Sequence, residues 1–553
     1  MKHILQFIAI FFFHNTFLMA QAPPPPPLQP EEVWTGLYSL SCDYQTSGSL
    51  RYIIENPYFS PFNNSNYCAV IMGQHDSSSV YDASRYIYYS YSNATGDLWE
   101  SDVLNSGLSW GYPDISIHNG NPVISAYRSD SGTRIFEDIT FPAYAFIQLP
   151  GIPPLINMSH LTGAGNNIIL SGTSSINNFT GQYTVYNGTN WSPLISLPLI
   201  SGSSGNFSVE SGTNGTVGIF GINNTGDRYI YFYKSKDNGL TFDNGSLIFK
   251  YDIDGTDTLF ANTTGGLQAS FRGSEPHLVF TVYKISSNVF PDQYTTEFIK
   301  PKILHWSPST GVTPVAGNFN IMNLANTITT VAMAPVGQPS LSVTANGLLI
   351  CSFTVFLNGN TQVVDDGSVL NAGEIFAIYS ENNGVTWGNA NNITGTPGIE
   401  EKHSSLANHV TSMSFFDKVK IYYLRDMKAG GWVNVPAFGK APVYGIMKKA
   451  RIFTIGINQI SSNAASFKLS QNYPNPFNPS TTIKFDIPKS EFTTLSVYDI
   501  NGREIRSIVN EKLNPGSYEY EFSAGNYNLS SGVYIYKLVS GNYSDTKRMI
   551  LIK

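Results

Sequence analysis

Ser235-Lys236-Asp237-Asn238-Gly239-Leu240-Thr241-Phe242 ends the phrase YIYFYKSKDNGLTF, and its reading decides the fold. A run of aromatic strand residues breaks at a polar turn and stops on one large ring. In such a turn the Asp side chain accepts backbone N–H bonds, and Gly supplies a positive φ without steric cost. The Thr hydroxyl bonds locally, while the terminal ring packs back between neighbouring sheets. The result is a rigid hairpin corner. IFAIYSENNGVTW repeats it with Ser380, Asn382, Gly384, Thr386 and Trp387 in the matching places, Asn standing for Asp. YIYYSYSNATGDLW is a poorer copy that keeps Ser92, Gly96 and Trp99 but has Ala94 where the acid belongs, and YTVYNGTNW ends on Trp191.

A second phrase recurs beside these corners, a pair of strands joined by an Asn/Gly turn. It occurs as PDISIHNGNPVISAYR from Pro113, LTGAGNNIILSG from Leu161, VESGTNGTVGIFG from Val209 and PSLSVTANGLLICSFTVF from Pro339. Polar and apolar alternation around such a turn marks a β-hairpin. Units recur every 40 to 70 residues or so, roughly the spacing of four-stranded propeller blades. Candidate units begin near residues 36, 112, 158, 207, 267, 338 and 404, the first and last being the least regular, so six or seven blades fit.

Composition agrees. Of 553 residues, 42% are hydrophobic and only 13% charged, with 39 Asp+Glu against 32 Lys+Arg and a net charge of −7. The apolar share suffices for a large core, and no basic stripe exists to displace counterions from nucleic acid. Abundant Gly, Asn, Ser, Thr and Tyr, without helical-spacing runs, argue against a helical bundle or a doubly wound α/β enzyme. Residues 1–20 read as a signal peptide, with Lys2 and His3, the apolar stretch Ile4 to Phe13, and Ala20-Gln21-Ala22 after it. Residues 21–32 hold the stiff proline run Pro23 to Pro27. No later segment approaches the roughly 20 apolar residues of a membrane span. Cys42 and Cys68 are candidates for a bridge, whereas Cys351, in the apolar run Leu348 to Phe353, reads as a buried thiol.

Because the first corner fits S-x-D-x-G-x-T-[WF] at every fixed position, residues 33–458 resemble the sialidase/BNR-repeat (Asp-box) class of β-propellers. The resemblance implies an all-β propeller of six or seven blades. It does not imply an activity, since such boxes are structural corners. A sialidase-type reaction needs an arginine cluster for the substrate carboxylate, a Tyr/Glu nucleophile pair and an acid/base Asp. Family members usually carry an aromatic-Arg-Ile-Pro motif early in the propeller. Leu50-Arg51-Tyr52-Ile53-Ile54 lacks both the aromatic and the proline, which argues against catalysis and leaves Arg51 as a solvated strand residue. The expected role is a glycan- or protein-binding propeller without cofactor. The alternative is a sialidase-like exo-glycosidase with a degenerate motif.

After a polar linker, residues 459–466, the style changes. FKLSQNYPNPFNPSTTIKFDIP from Phe467, LSVYDINGREI from Leu495, LSSGVYIYKL from Leu529 and SDTKRMILIK from Ser544 read as a small antiparallel β-sandwich over 467–553. The stretch closely resembles the type A C-terminal sorting domain of the type IX secretion system. The matching residues are Asn472-Tyr473-Pro474-Asn475-Pro476-Phe477-Asn478-Pro479, Asn501-Gly502, Ser531-Gly532-Val533-Tyr534 and Lys547-Arg548. Export by that machinery across a Gram-negative outer membrane is implied, followed by release or surface attachment.

Other chemistry has little foothold. No CxxC, GxSxG or Walker-type loop occurs. Asp252, Asp254 and Asp257 misplace Gly255 for an EF-hand loop and read as a solvated turn, so no metal is expected. His403 and His409, near Glu400 and Glu401, lack HExxH spacing and read as surface residues. One geometric expectation remains. If the corners join third and fourth strands, second strands end on the opposite face, where propellers commonly hold ligands. Asp76, Arg128, Lys284 and Arg425 stand at those ends, with Arg128 and Arg425 at equivalent places in two blades.

Overall fold

The structure is a computed structural model that describes residues 32–34, 53–56, 66–74, 85–92 and 99–104, and from 110 to 552 all but short stretches, of which 430–442 is the longest. The signal peptide, the proline run, Cys42, Arg51, Asp76, Gly96, His409 and Pro479 lie outside the described residues. The strands form antiparallel sheets in two compact units, Met1–Thr411 with Lys418–Ala450, and Arg451–Lys553 with Ser412–Asp417.

The first unit is a β-propeller whose described sheets make seven blades. Its innermost strands are Ile53–Asn56, Trp110–His118, Asn157–Ala164, Phe207–Ser211, Leu267–Arg272, Val336–Val343 and Glu400–Leu406. Each lies beside the next, and the last returns to the first. Six of these strands start within a few residues of the expected units; the first blade's inner strand begins at Ile53, well after residue 36. The seventh blade is completed by the start of the chain, because Glu32–Trp34 pairs antiparallel with Val443–Ile452, Glu32 opposite Lys448 and Trp34 opposite Ile446.

Both faces of a blade are covered by neighbours, so a middle strand such as Val217–Ile222 (VGIFGI) is buried at every position. The cores lie between adjacent blades. Ile169, Val185, Val209 and Ile219 pack across one such interface, and Phe220, Phe232, Leu267 and Phe280 across the next. Two-residue hairpin turns take the left-handed backbone expected of Asn-Gly, with Asn119 and Gly120 at φ 50° and 84°.

The corners sit where the sequence places them, between third and fourth strands: Ile230–Ser235 and Ser246–Phe249 in the fourth blade, Val369–Ser380 and Asn391–Asn392 in the sixth. Asp237 Oδ1 accepts the Thr241 amide at 2.9 Å, and its Oδ2 accepts the Thr241 hydroxyl at 2.6 Å. The Ser235 hydroxyl donates to Asp237 and takes the Gly239 amide at 3.0 Å. In the sixth blade Asn382 Oδ1 takes the Thr386 amide at 2.9 Å, and its Nδ2 donates to the Thr386 hydroxyl at 2.8 Å. Asn238 and Asn383 precede the glycines at φ 58° and 60°, so each turn has two left-handed residues. Phe242 packs edge-on against Tyr183 of the preceding blade at 4.8 Å. Trp387 meets His305 of the preceding blade at 5.6 Å but is only half-buried.

Because Asn382 already does in one corner what Asp237 does in the other, Asp237→Asn should leave thermal and denaturant unfolding of the purified protein near wild type. Asp237→Ala removes the acceptor of the Thr241 amide and of the Thr241 and Ser235 hydroxyls and should cost about 1–3 kcal/mol. Equal losses for the two variants would contradict this account of the turn.

The second unit is a sandwich of two four-stranded sheets. One runs Asn458–Ser461, Gly516–Ser523, Ser480–Ile487 and Lys468–Leu469; the other runs Glu504–Leu513, Glu491–Tyr498, Gly532–Ser540 and Tyr543–Leu551. Phe477, Phe485, Leu495, Tyr520, Phe522, Tyr536 and Leu538 fill the space between them. Its edge strand Asn458–Ser461 reaches into the stretch expected to be linker, whose polar Ser and Asn hid a strand that pairs with Gly516–Ser523.

Candidate functional site

The ring of inner strands is tied by side chains. Asp114 Oδ2 accepts the Leu161 amide at 2.9 Å, Ser208 Oγ the Ala269 amide at 2.9 Å, Gln268 Oε1 the Leu341 amide at 3.0 Å and Ser340 Oγ the Leu406 amide at 2.9 Å. The second, fourth, fifth and sixth blades thus each supply an acceptor for a backbone N–H of the next blade's inner strand. The sequence carries this signal as polar residues at inner-strand positions, Asp114, Ser208, Gln268 and Ser340. Asp114, Ser116, His160, Ser208, Glu210 and Gln268 line a cavity of about 10 Å³, room for about one water molecule. His160 is buried there, its Nε2 without a partner among the described residues, and burial pulls its pKa down to about 3.

The ends of the second strands present a different picture. Arg128 closes the strand Asn121–Arg128 of the second blade and Arg425 stands one residue from the end of Phe416–Asp426 in the seventh, so the two are equivalent in position. They are not equivalent in environment. Arg128 is part-exposed; its Nε lies 2.8 Å and its Nη2 2.9 Å from the two oxygens of Asp130, and its guanidinium lies 5.5 Å from the Trp110 ring centroid. Arg425 is fully buried; its Nη2 lies 2.7 Å from Glu401 Oε1, its Nε donates to the same oxygen at 2.8 Å, and Tyr423 takes a further bond at 3.1 Å. Lys284 does not end its strand as expected: the strand Glu275–Asn288 runs four residues beyond it, and its ammonium pairs with Asp257 at 3.1 Å.

Other expectations shift. Glu400, Glu401 and His403 are buried on the inner strand of the seventh blade rather than at the surface, because an inner strand is covered on both faces. Glu401 also takes the Thr396 hydroxyl at 2.6 Å, and Lys402 pairs with Glu400 at 2.8 Å and Asp426 at 3.4 Å. Burial raises the Glu401 pKa against the pull of Arg425. Asp252, Asp254 and Asp257 form no cation loop: Lys302 lies 2.7 Å from Asp252 and 2.9 Å from Asp254, and Lys300 lies 3.1 Å from Asp254. Among the described residues no group of three or more His, Cys, Asp or Glu is placed to hold a metal. Cys68 is a buried free thiol that accepts the Tyr89 hydroxyl at 3.3 Å, while Cys42, its candidate partner, lies outside the described residues; Cys351 is buried and free as expected.

In the sandwich, the proline-rich motif is a structural clamp. The Asn472 amide bonds the Tyr536 hydroxyl at 2.8 Å, and its side chain donates to Thr481 at 2.9 Å and to the Pro474 carbonyl at 3.1 Å. Phe477 plugs the core, and its backbone bonds both Ile550 and Ile552 of the C-terminal segment. Tyr473 is left almost wholly exposed.

Residues 471–553 match the secretion system C-terminal sorting domain. No curated protein matches the chain. Among solved structures, a polysaccharide lyase of family PL25, an ulvan lyase, aligns with TM-score 0.34 and 10% identity over 87% of this chain and 95% of that one. A Trypanosoma rangeli sialidase mutant displaying trans-sialidase activity gives 0.34 and 10% over 96% and 90%. The SapL1 lectin in complex with alpha methyl fucoside gives 0.34 and 11% over 64% and 97%. Likeness this loose carries no argument about chemistry. The C-terminal unit is a type IX sorting domain, and the protein is secreted or displayed at the cell surface.

Proposed function

We propose that the propeller is an exported binding module that takes a glycan or a protein on the face where second strands end, and that it is not a sialidase. The observation that carries this reading is that the guanidinium groups at those strand ends are already engaged, Arg425 by Glu401 and Arg128 by Asp130. A sialoside hydrolase holds its substrate's carboxylate with several free bidentate donors. Arg134, the next arginine along, spends its Nη1 on the carbonyls of Ser131 and Thr133. The cavity beside Asp114 and His160 cannot serve instead, because about one water's volume admits no sugar ring. Incubating the purified protein with a fluorogenic sialoside should release no fluorophore above the blank. Robust turnover, abolished by Arg51→Ala, would overturn this reading.

A further inference from the structure

Tyr112 stands at φ 52°, a left-handed conformation that Gln338 and His403 repeat at φ 53° and 55° in the matching inner-strand bulges of the sixth and seventh blades; here it sets a large ring on the rim. It falls at a bulge between Gly111 and Asp114, where the inner strand of the second blade meets the end of its neighbour. The bulge brings the Tyr112 ring 6.2 Å from Tyr127, tilted by 43°. Both rings are half-buried, and neither phenol hydroxyl has a hydrogen-bond partner among the described residues. Across the ladder, Tyr127 faces Gly111, which has no side chain to cover it, and Arg128 faces Trp110. The Arg128–Asp130 pair, part-exposed beside the buried Trp110 ring, is a fork with no net charge in which Nη2 makes the hydrogen bond and Nε, though 2.8 Å from Asp130, makes none. Its Nη1 and the half-exposed Asp130 carboxylate keep bonding capacity to spare.

Resting on the binding-module reading, we propose that this rim of the second blade binds a neutral hexose unit of a glycan. The sugar's C–H face would lie against the tyrosine rings, where apolar area and a polar tip are offered together. Two vicinal hydroxyls would meet the fork, because a hydroxyl both donates to Asp130 and accepts from Arg128. A sialate or uronate carboxylate can use only the arginine and is repelled by Asp130, so the same pair rejects acidic sugars.

The test is the full-length protein on an array of neutral, sialylated and uronate-bearing oligosaccharides. Neutral glycans should be retained, with signal nearly constant between about 0.05 and 0.5 M salt, since no net charge is screened. Arg128→Lys and Tyr127→Phe keep size and packing, and should weaken that binding about tenfold or more while leaving the melting temperature unchanged. A preference for acidic glycans that fades with salt overturns the proposal. Undiminished neutral binding in both variants overturns this site while the wider reading stands. Retention of no glycan overturns the sugar ligand and leaves a protein ligand to the wider reading.

Discussion

Acidification from pH 7.5 to about 5 is expected to destabilise the propeller steeply while the sandwich hardly responds. Four of the propeller's histidines are buried and held neutral. Burial lowers His160 to about 3, His277 to about 4, His305 to about 3 and His403 well below its ordinary value. For one pair the hydrogen bonds explain why. The Thr313 hydroxyl donates to the Gly384 carbonyl at 2.6 Å, so it must accept from His305 Nδ1 at 3.1 Å. His305 Nε2 is then bare and accepts from His277 Nδ1 at 2.9 Å, while His277 Nε2 has no partner among the described residues. An added proton finds no acceptor on either ring. Below pH 6.5 the unfolded chain binds protons that the folded one refuses, so stability is full above that pH and falls as the pH drops. Each such histidine contributes a loss of about 2 kcal/mol between pH 7 and 5. His118 works the other way. Burial opposes its charge, but its bond to Glu137 at 2.9 Å raises its pKa, so its contribution is present at low pH and lost as pH rises. Four outweigh one. Residues 451–553 contain no histidine. Calorimetric scans should show an early transition whose midpoint falls with pH and a second that stays put; two parallel transitions, or none that moves, would refute the protonation account.

Arg425→Ala should be among the most damaging single changes in the propeller, costing about 3–5 kcal/mol because it strands a buried carboxylate. Both partners are 0% exposed in their side chains, and their contact is 2.7 Å. The double variant Arg425→Met with Glu401→Gln removes charge from both sides and should recover much of the loss. Denaturant midpoints for Arg425→Met, Glu401→Gln and the double measure the coupling directly. If the double is as unstable as the sum of its singles, the pair is not a coupled unit and its burial has another origin.

How far the chain could be read follows from what each feature depends on. The corners and Asn-Gly hairpins are local, so Asp237, Asn382 and the glycines beside them announced blades before any contact was known. The sorting motif was equally local, because Asn472 and Phe477 sit in one short run. What stayed hidden depends on closure. Glu400, Glu401 and His403 look like a solvated charged stretch until seven inner strands surround one axis and bury them. Arg128 and Arg425 hold matching strand positions, yet only packing decides that one is displayed and the other enclosed. The strand Asn458–Ser461 escaped notice because a polar edge strand has no periodicity to betray it.

The sharing of the seventh blade between Glu32–Trp34 and Val443–Ile452 has a consequence for the order of events in the cell. A ribosome delivers the first of these strands hundreds of residues before its partner, so through most of synthesis the ring has an open seam. Any chain truncated before residue 443 would keep that seam permanently, with an unsatisfied strand edge available to other chains. Export that waits for the C-terminal sorting unit therefore also waits for the last piece of the clasp, and the address label doubles as a certificate that the ring can shut.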